Sequence, residues 1–565
     1  MWALKPRTFP KSRASPLKVR KCSTILISSF RSTNFSKAKN GKVKVSGEVT
    51  LNVPDEQGGF RPATGIGQMY RINETTGEVS GLDSAAFTPD GMGGYTPVPA
   101  DAFGMDPEAV LRLSIDGLND GKAVFAVSDE YRPQVSIHDA ETGNLIHRIV
   151  PKGSSFKGYG YEEGRGEVKE FTKKTLPKVY LERRGSRGFE ALAYNSNNSL
   201  LYAFIQTPMD VNGERKGSTV RRIIAMDPIT GEAKHEYIYR QSGPIKQDKI
   251  GDAVYDAERN VFYVIDRDNV ADETANKAVI EMDLTRATDV LGFKWESILG
   301  EGVYTPEMLD TPEEVGEALR SPLMNGIISE VHQTTLFNLA EQGINTLFDK
   351  PEGLALKPDG TLVFGFDNDF QRVDGRPDNM LAVVTDRFGD LKASSAEFVL
   401  NYPGTNSPEL PASLEDPNQP DVQIIAGGLS GLTYDADLKR YFTISDVGPR
   451  SLIFQRARAS PSRAKRSSAT LISSFRSLSC RTKSSRARRK SKTPPPCGSL
   501  MARVVSVMPP ASLRCTASMK RPVRSAAWIP VTPPSPPMAT ADTSPWHRMR
   551  SVWIPNQFSA SALMG

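Results

Sequence analysis

Short apolar runs rich in Val, Ile, Phe and Tyr alternate with Asp-Gly, Thr-Gly and Asn-rich turns over residues 41–455. That is the pattern of strands joined by tight turns. One phrase recurs within it. An acidic residue opens an apolar strand, a turn follows, and a second strand ends in further acids. It reads Glu190-Ala-Leu-Ala-Tyr with Leu201-Tyr-Ala-Phe-Ile-Gln206, then Asp252-Ala-Val-Tyr with Val261-Phe-Tyr-Val-Ile-Asp266-Arg-Asp268, then Glu352-Gly-Leu-Ala-Leu with Leu362-Val-Phe-Gly-Phe-Asp367-Asn-Asp369. Looser copies are Glu108-Ala-Val-Leu with Val124-Phe-Ala-Val-Ser-Asp129-Glu130, and Ser430-Gly-Leu-Thr-Tyr with Tyr441-Phe-Thr-Ile-Ser-Asp446. A hairpin returns the chain to the level where it began, so these acids are expected on one side of the fold.

The repeats predict an all-β fold, a β-propeller-like domain of repeated antiparallel strand pairs with five to seven blades. A β-sandwich or two smaller β domains is the alternative. A short helical insertion is expected near 305–350, from Pro306, Glu313 and Glu314 followed by Ile327, Ile328, Val331, Leu336 and Leu339. The unit at 427–448 resembles an opening strand pair placed late in the chain. It is expected either to close the ring or to leave exposed sheet edges.

Charge divides the chain into three. Residues 1–40 carry ten Lys and Arg and no acid, and residues 456–565 carry twenty with Asp542 as the sole acid. The middle is left with 41 basic and 64 acidic side chains, so the overall +6 is no nucleic-acid signal. All four cysteines (Cys22, Cys480, Cys497, Cys515) lie in the ends, which excludes a disulfide framework or thiolate metal site in the middle. No apolar run is long enough for a membrane helix, and no signal peptide is visible.

The ends are expected to be irregular, the second a low-complexity Ser/Arg/Pro-rich tail whose basic cluster at 481–492 is at most a weak anionic-surface signal. Back-translating Met549–Ser559 and reading from the third base of each codon permits Ala-Phe-Gly-Met-Asp-Pro-(Lys/Glu)-Ser-Val-Leu, which closely matches Ala102–Leu111. Both ends also share Leu-Ile-Ser-Ser-Phe-Arg-Ser, at 26–32 and 471–477. Both are therefore read as out-of-frame copies of a tandem module, a hypothesis that sequencing the transcript tests.

The phrases Val127-Ser-Asp-Glu-Tyr-Arg-Pro133, Arg187-Gly-Phe-Glu-Ala-Leu-Ala193, Val264-Ile-Asp-Arg-Asp268, Lys350-Pro-Glu-Gly-Leu-Ala-Leu356 and Phe366-Asp-Asn-Asp-Phe370 resemble, in order, the phytase-like family, also described as "esterase-like activity of phytase". The resemblance covers roughly 100–450 and implies a propeller-like fold, a hydrolase of phosphoric or carboxylic esters, and export. The chain departs from the pattern at Gly251-Asp252 and at Gln206.

Carboxylates gathered at one mouth suit a hard cation, with calcium the first candidate. Glu130, Glu190, Asp252 and Asp266 are the expected metal ligands. Glu352, Asp367 and Asp369 are the expected catalytic residues, one of them a general base. Arg132 and Arg267 would grip a small-molecule ester in a fork geometry. Set against this, acids at strand ends also accept backbone N–H groups and tie neighbouring blades. The four histidines of the middle have no ligand spacing, and no Gly-x-Ser-x-Gly elbow or phosphate-binding Gly-rich loop appears. The rival to a hydrolase is a non-catalytic propeller in a tandem extracellular interaction array.

Overall fold

Each copy of the repeated phrase becomes the inner hairpin of a propeller blade. A computed structural model describes residues 31–446 apart from 38–42, 73–74, 77–78, 84–86, 90–94, 157–168, 211–217, 242–248, 273, 294–304, 306, 308–327, 345–347, 388–389, 403–404 and 410–422. These residues lie in one unit, Met1–Ser474; the second, Phe475–Gly565, lies outside the described residues together with the predicted tail and all four cysteines.

The described chain starts with β1 (Arg31–Lys37) and β2 (Val43–Thr50). Three two-stranded ribbons follow: β3 (Asn52–Pro54) with β4 (Phe60–Pro62), β5 (Tyr70–Ile72) with β6 (Val79–Gly81), and β7 (Phe87–Pro89) with β8 (Tyr95–Pro97). A five-stranded blade holds β9 (Pro107–Leu113), β10 (Val124–Asp129), β11 (Gln134–Asp139), β12 (Leu145–Pro151) and β13 (Thr172–Leu176), the last parallel to β12. Three four-stranded antiparallel blades come next. They are β14 (Phe189–Asn195) to β15 (Leu200–Ile205), β16 (Val220–Met226) and β17 (Ala233–Arg240); β18 (Lys249–Asp256) to β19 (Val261–Arg267), β20 (Lys277–Asp283) and β21 (His332–Asn338); and β22 (Lys350–Leu356) to β23 (Leu362–Asp367), β24 (Asn379–Arg387) and β25 (Asp390–Phe398).

The fifth sheet joins the two ends of the described chain. β26 (Leu429–Asp435) pairs with β27 (Arg440–Ser445), β27 with β1, and β1 with β2. The β1–β27 register runs from Ser32 opposite Ile444 to Phe35 opposite Tyr441. Inner strands pack in the order β9, β14, β18, β22, β26 and back to β9, so the ring closes with five blades. The late strand pair is therefore the closing unit.

Five apolar clusters fill the gaps between blades. One joins Ala126 and Ile137 to Leu192 and Ile205; the closing one joins Val127 and Phe125 to Phe442 and Ile444. Middle strands are covered on both faces, which is why β10, β15, β16, β19 and β23 are buried at every position; most of them read as near-continuous apolar runs, whereas β16 buries Arg221 and Arg222. The outer strand β2 is mostly half-buried or exposed.

Two expectations are corrected. Arg31–Lys37, in the segment expected to be irregular, is a strand of the closing blade. In the expected helical insertion, His332–Asn338 is β21, an outer strand on β20 that exposes Leu336 and buries Phe337. The apolar spacing of that stretch belongs to a strand and its flanking turns; 308–327 lies outside the described residues.

Candidate functional site

A bulge opens every inner strand. In β14 pairing passes from Phe189 to Ala191, in β22 from Pro351 to Gly353, and in β18 from Ile250 to Ala253. In β9 it passes from Pro107 to Val110, and in β26 from Ser430 to Leu432. The residues skipped include Glu190, Glu352, Asp252 and Glu108. A bulge twists its strand and re-aims the unpaired side chain. The opening acids of the phrase thus sit in a local geometry that regular pairing would not give them, at the same end of their blades. Gly188 shows how tightly the blades meet there: a Cβ on it would lie 2.6 Å from the Glu130 carbonyl oxygen.

Asp106, Glu108 and Glu130 form the tightest acidic group, each offering a carboxylate oxygen within 4.8 Å of the others. All three are buried. Burial pushes the Asp106 carboxyl well above its ordinary range, and the adjacent Asp446 and Glu130 add to the rise. Glu108 is raised the same way, by burial and then by Glu190, Asp446 and Glu130. Asp106 Oδ1 is buried with no hydrogen-bond donor among the described residues. Carboxylates packed this closely need a proton or a cation between them.

Basic side chains pair with several of these acids. Arg187 pairs with Glu130, and Arg267 pairs with Glu352 while standing 3.7 Å from Glu190 Oε1. Lys350 bridges Asp367, at 2.9 Å, and Asp369. Burial opposes ionisation of Glu352, but Arg267, Lys350 and Lys249 outweigh it and hold the carboxyl at about 2. Glu190 goes the other way: burial, Glu352 and Glu130 raise it well above its usual value. Gln206 Nε2 donates to Glu190 Oε2 at 2.5 Å, so this departure from the acidic pattern supplies a donor.

The expected site residues therefore divide. Glu130, Glu190, Glu352, Asp367, Asp369 and Arg267 share one connected network of charges. Asp252 is used otherwise: Oδ1 accepts Ala253 N–H at 2.8 Å, and Oδ2 accepts Leu354 N–H at 2.8 Å and Leu432 N–H at 3.1 Å. Its carboxylate ties β18, β22 and β26 together. Arg132 donates to the carbonyls of Asp101, Ala102 and Gly104, with its guanidinium near the Phe156 ring. Asp266 is buried and close enough to Tyr239 to help raise its phenol, after burial itself.

Asp106, Glu108, Asp446, Arg187, Lys249 and Lys350 were not among the expected site residues. Glu108 and Asp446 open and close copies of the repeated phrase, so the phrase itself carried the signal. Arg187, Lys249 and Lys350 each stand two or three residues before a bulge acid, a regularity visible once the bulge is known.

The sequence profile described as "Phytase-like: Esterase-like activity of phytase" matches residues 27–370. No curated protein matches the chain in sequence. Among solved structures, the hydrazine synthase of Kuenenia stuttgartiensis is similar at 14% identity and TM-score 0.27, over 62% of this chain and 70% of that one. The Dos1 propeller is similar at 8% identity and TM-score 0.24, over 74% of each chain. An auxiliary nutrient binding protein from Bacteroides thetaiotaomicron is similar at 8% identity and TM-score 0.24, over 75% of this chain and 79% of that one.

Proposed function

The chain belongs to the phytase-like family, and on that premise we propose that the acidic mouth of its propeller is a cation-assisted site for hydrolysing phosphoric or carboxylic esters. The observation that carries this reading is the buried trio Asp106, Glu108 and Glu130 with its donor-less Asp106 oxygen. The donor set is all carboxylate oxygen, which fits calcium or another hard cation. Asp106, Glu108 and Glu130 would hold the ion, with Asp446 beside Asp106 as a fourth oxygen source. When bound, such an ion polarises a substrate oxygen and lowers the pKa of a bound water.

The chain's own groups then have separable tasks. Glu190, with its basicity raised by burial, is suited to take a proton from an attacking water. Glu352 is too weak a base at about 2; it stays ionised and orients Arg267 toward the mouth. Asp367 and Asp369 hold Lys350, and Asp369 is the more exposed of the two. Among the described residues no helix is long and apolar enough to cross a membrane, and export is part of this proposal because of the family.

The test is turnover of a chromogenic phosphate monoester and a chromogenic carboxylic ester by the full chain, with calcium and then with chelator. Turnover that disappears with chelator and in Asp106→Asn and Glu108→Gln supports the reading. Absence of turnover in folded protein that still gains thermal stability from calcium would instead make the mouth a binding site.

A further inference from the structure

Among the described residues, Arg187, Arg267, Lys350 and Lys249 stand at the acidic mouth, and the first three are committed. Arg187 pairs with Glu130, Arg267 with Glu352, and Lys350 with Asp367 and Asp369. Lys249 is the exception: among the described residues its Nζ makes no hydrogen bond and no ion pair, although it is half-buried. It stands directly opposite Arg267 in the β18–β19 register. Residues paired in this way project from the same face of a sheet. Arg267 Nε is itself buried with no acceptor among the described residues.

A half-buried ammonium with no hydrogen-bond acceptor is unfavourable. Burial, Arg187 and Arg267 bring Lys249 down to about 7, with Glu130 and Glu190 only partly opposing them, and Lys249 in turn helps hold Glu352 ionised. Two neighbouring donors short of an acceptor describe a place for an anion. We propose that Lys249, with Arg267 beside it, forms an oxyanion subsite that seats a phosphoryl group and selects phosphoric over carboxylic esters. The inference rests on the hydrolase reading and narrows its substrate class. A carboxylic ester is neutral, so an uncommitted ammonium gives it little in the ground state. A phosphate monoester carries nearly two negative charges at neutral pH and accepts charge-assisted hydrogen bonds from both donors.

Two measurements on the full chain with calcium present test this. The first is calorimetric titration with inorganic phosphate. Wild type is expected to bind, Lys249→Met to bind about tenfold more weakly or worse, and Lys249→Arg to retain most of the affinity. The second is the ratio of kcat/KM for p-nitrophenyl phosphate over p-nitrophenyl acetate, expected to fall about tenfold in Lys249→Met. Equal phosphate affinity in wild type and Lys249→Met overturns the inference. Turnover of the acetate with no affinity for phosphate also overturns it and leaves the hydrolase reading standing. Lysine-dependent phosphate binding without turnover of either ester does the reverse. If Lys249→Met fails to fold, acylation of wild type by an acetyl N-hydroxysuccinimide ester, read by mass spectrometry, decides: phosphate must protect Lys249, and no protection overturns the inference.

Discussion

Asp252 accepts the backbone N–H of Leu432 at 3.1 Å although the two residues are 180 positions apart and belong to different blades. The same carboxylate holds Leu354 N–H and Ala253 N–H. Asp252→Ala would leave three buried donors without their acceptor, at a cost of roughly 3 kcal/mol or more. Urea unfolding should show that loss, while the stabilisation given by calcium persists in the variant. A variant that keeps its stability but no longer responds to calcium would make Asp252 a ligand instead.

If a cation sits at the trio, its removal should make the protein's stability sensitive to alkali. Asp106 and Glu108 have folded pKa values raised above their unfolded ones by burial and neighbouring acids. Without an ion, the folded state keeps protons that the unfolded chain releases above about pH 4. Stability then falls as pH rises from that point through the raised values. In chelator the melting temperature should drop between pH 5 and pH 8, and calcium should abolish the drop. Asp106→Asn and Glu108→Gln should flatten the chelator curve; equal slopes with and without calcium would argue against an ion at the trio.

Glu352 and Arg267 test catalysis against structure. Both are buried and paired. Glu352→Gln leaves the guanidinium without its main counter-charge and should cost about 3–5 kcal/mol. Replacing both, as Arg267→Met with Glu352→Leu, should recover much of that stability without restoring turnover. Stability in Glu352→Gln close to wild type, with turnover lost, would place the carboxylate in the chemistry itself.

His138 should make the fold sensitive to acid. Burial lowers its pKa to about 4, against backbone hydrogen bonds with Gly143 and Asn52. The Gly143 carbonyl can only accept, so Nδ1 carries the proton, and Nε2 lies 3.1 Å from the Ser136 hydroxyl. With the folded pKa below the unfolded value, stability is complete above about pH 6.5 and is lost as pH falls toward 4, by up to ~3 kcal/mol. His147, also lowered to about 4 by burial and by Lys173, adds a loss of the same sign. The gap in urea stability between wild type and His138→Gln should therefore narrow from pH 7 to pH 4.5.

The repeated phrase carried much of the fold because its two halves are the innermost strand pair of each blade, where burial on both faces leaves uninterrupted apolar runs. Glu190 and Glu352 were legible as the opening acids of the phrase for the same reason, and the fold sets both beside Arg267. The partners of Arg132 were not legible, because Arg-Pro after an acid says nothing about the carbonyls of Asp101, Ala102 and Gly104 that receive it. Asp252 matches its counterparts in sequence but sits in a bulge two residues long, which aims it at the N–H groups of the next two blades. β1 was hidden because Arg31-Ser-Thr-Asn-Phe-Ser-Lys37 has little apolar character, although its backbone pairs with β27 on one side and β2 on the other.

The shared closing blade also sets a clock on synthesis. β1 and β2 emerge first, yet the strand that β1 must meet, β27, lies about 400 residues later. At about 5–20 residues per second, the ribosome delivers it roughly twenty to eighty seconds afterwards. Through that interval four blades can form while the first hairpin waits with one edge bare. A chain that stalls before residue 440 would carry two unsatisfied sheet edges, those of β1 and of β26. Either edge could recruit the complementary strand of a second nascent chain and exchange strands between molecules.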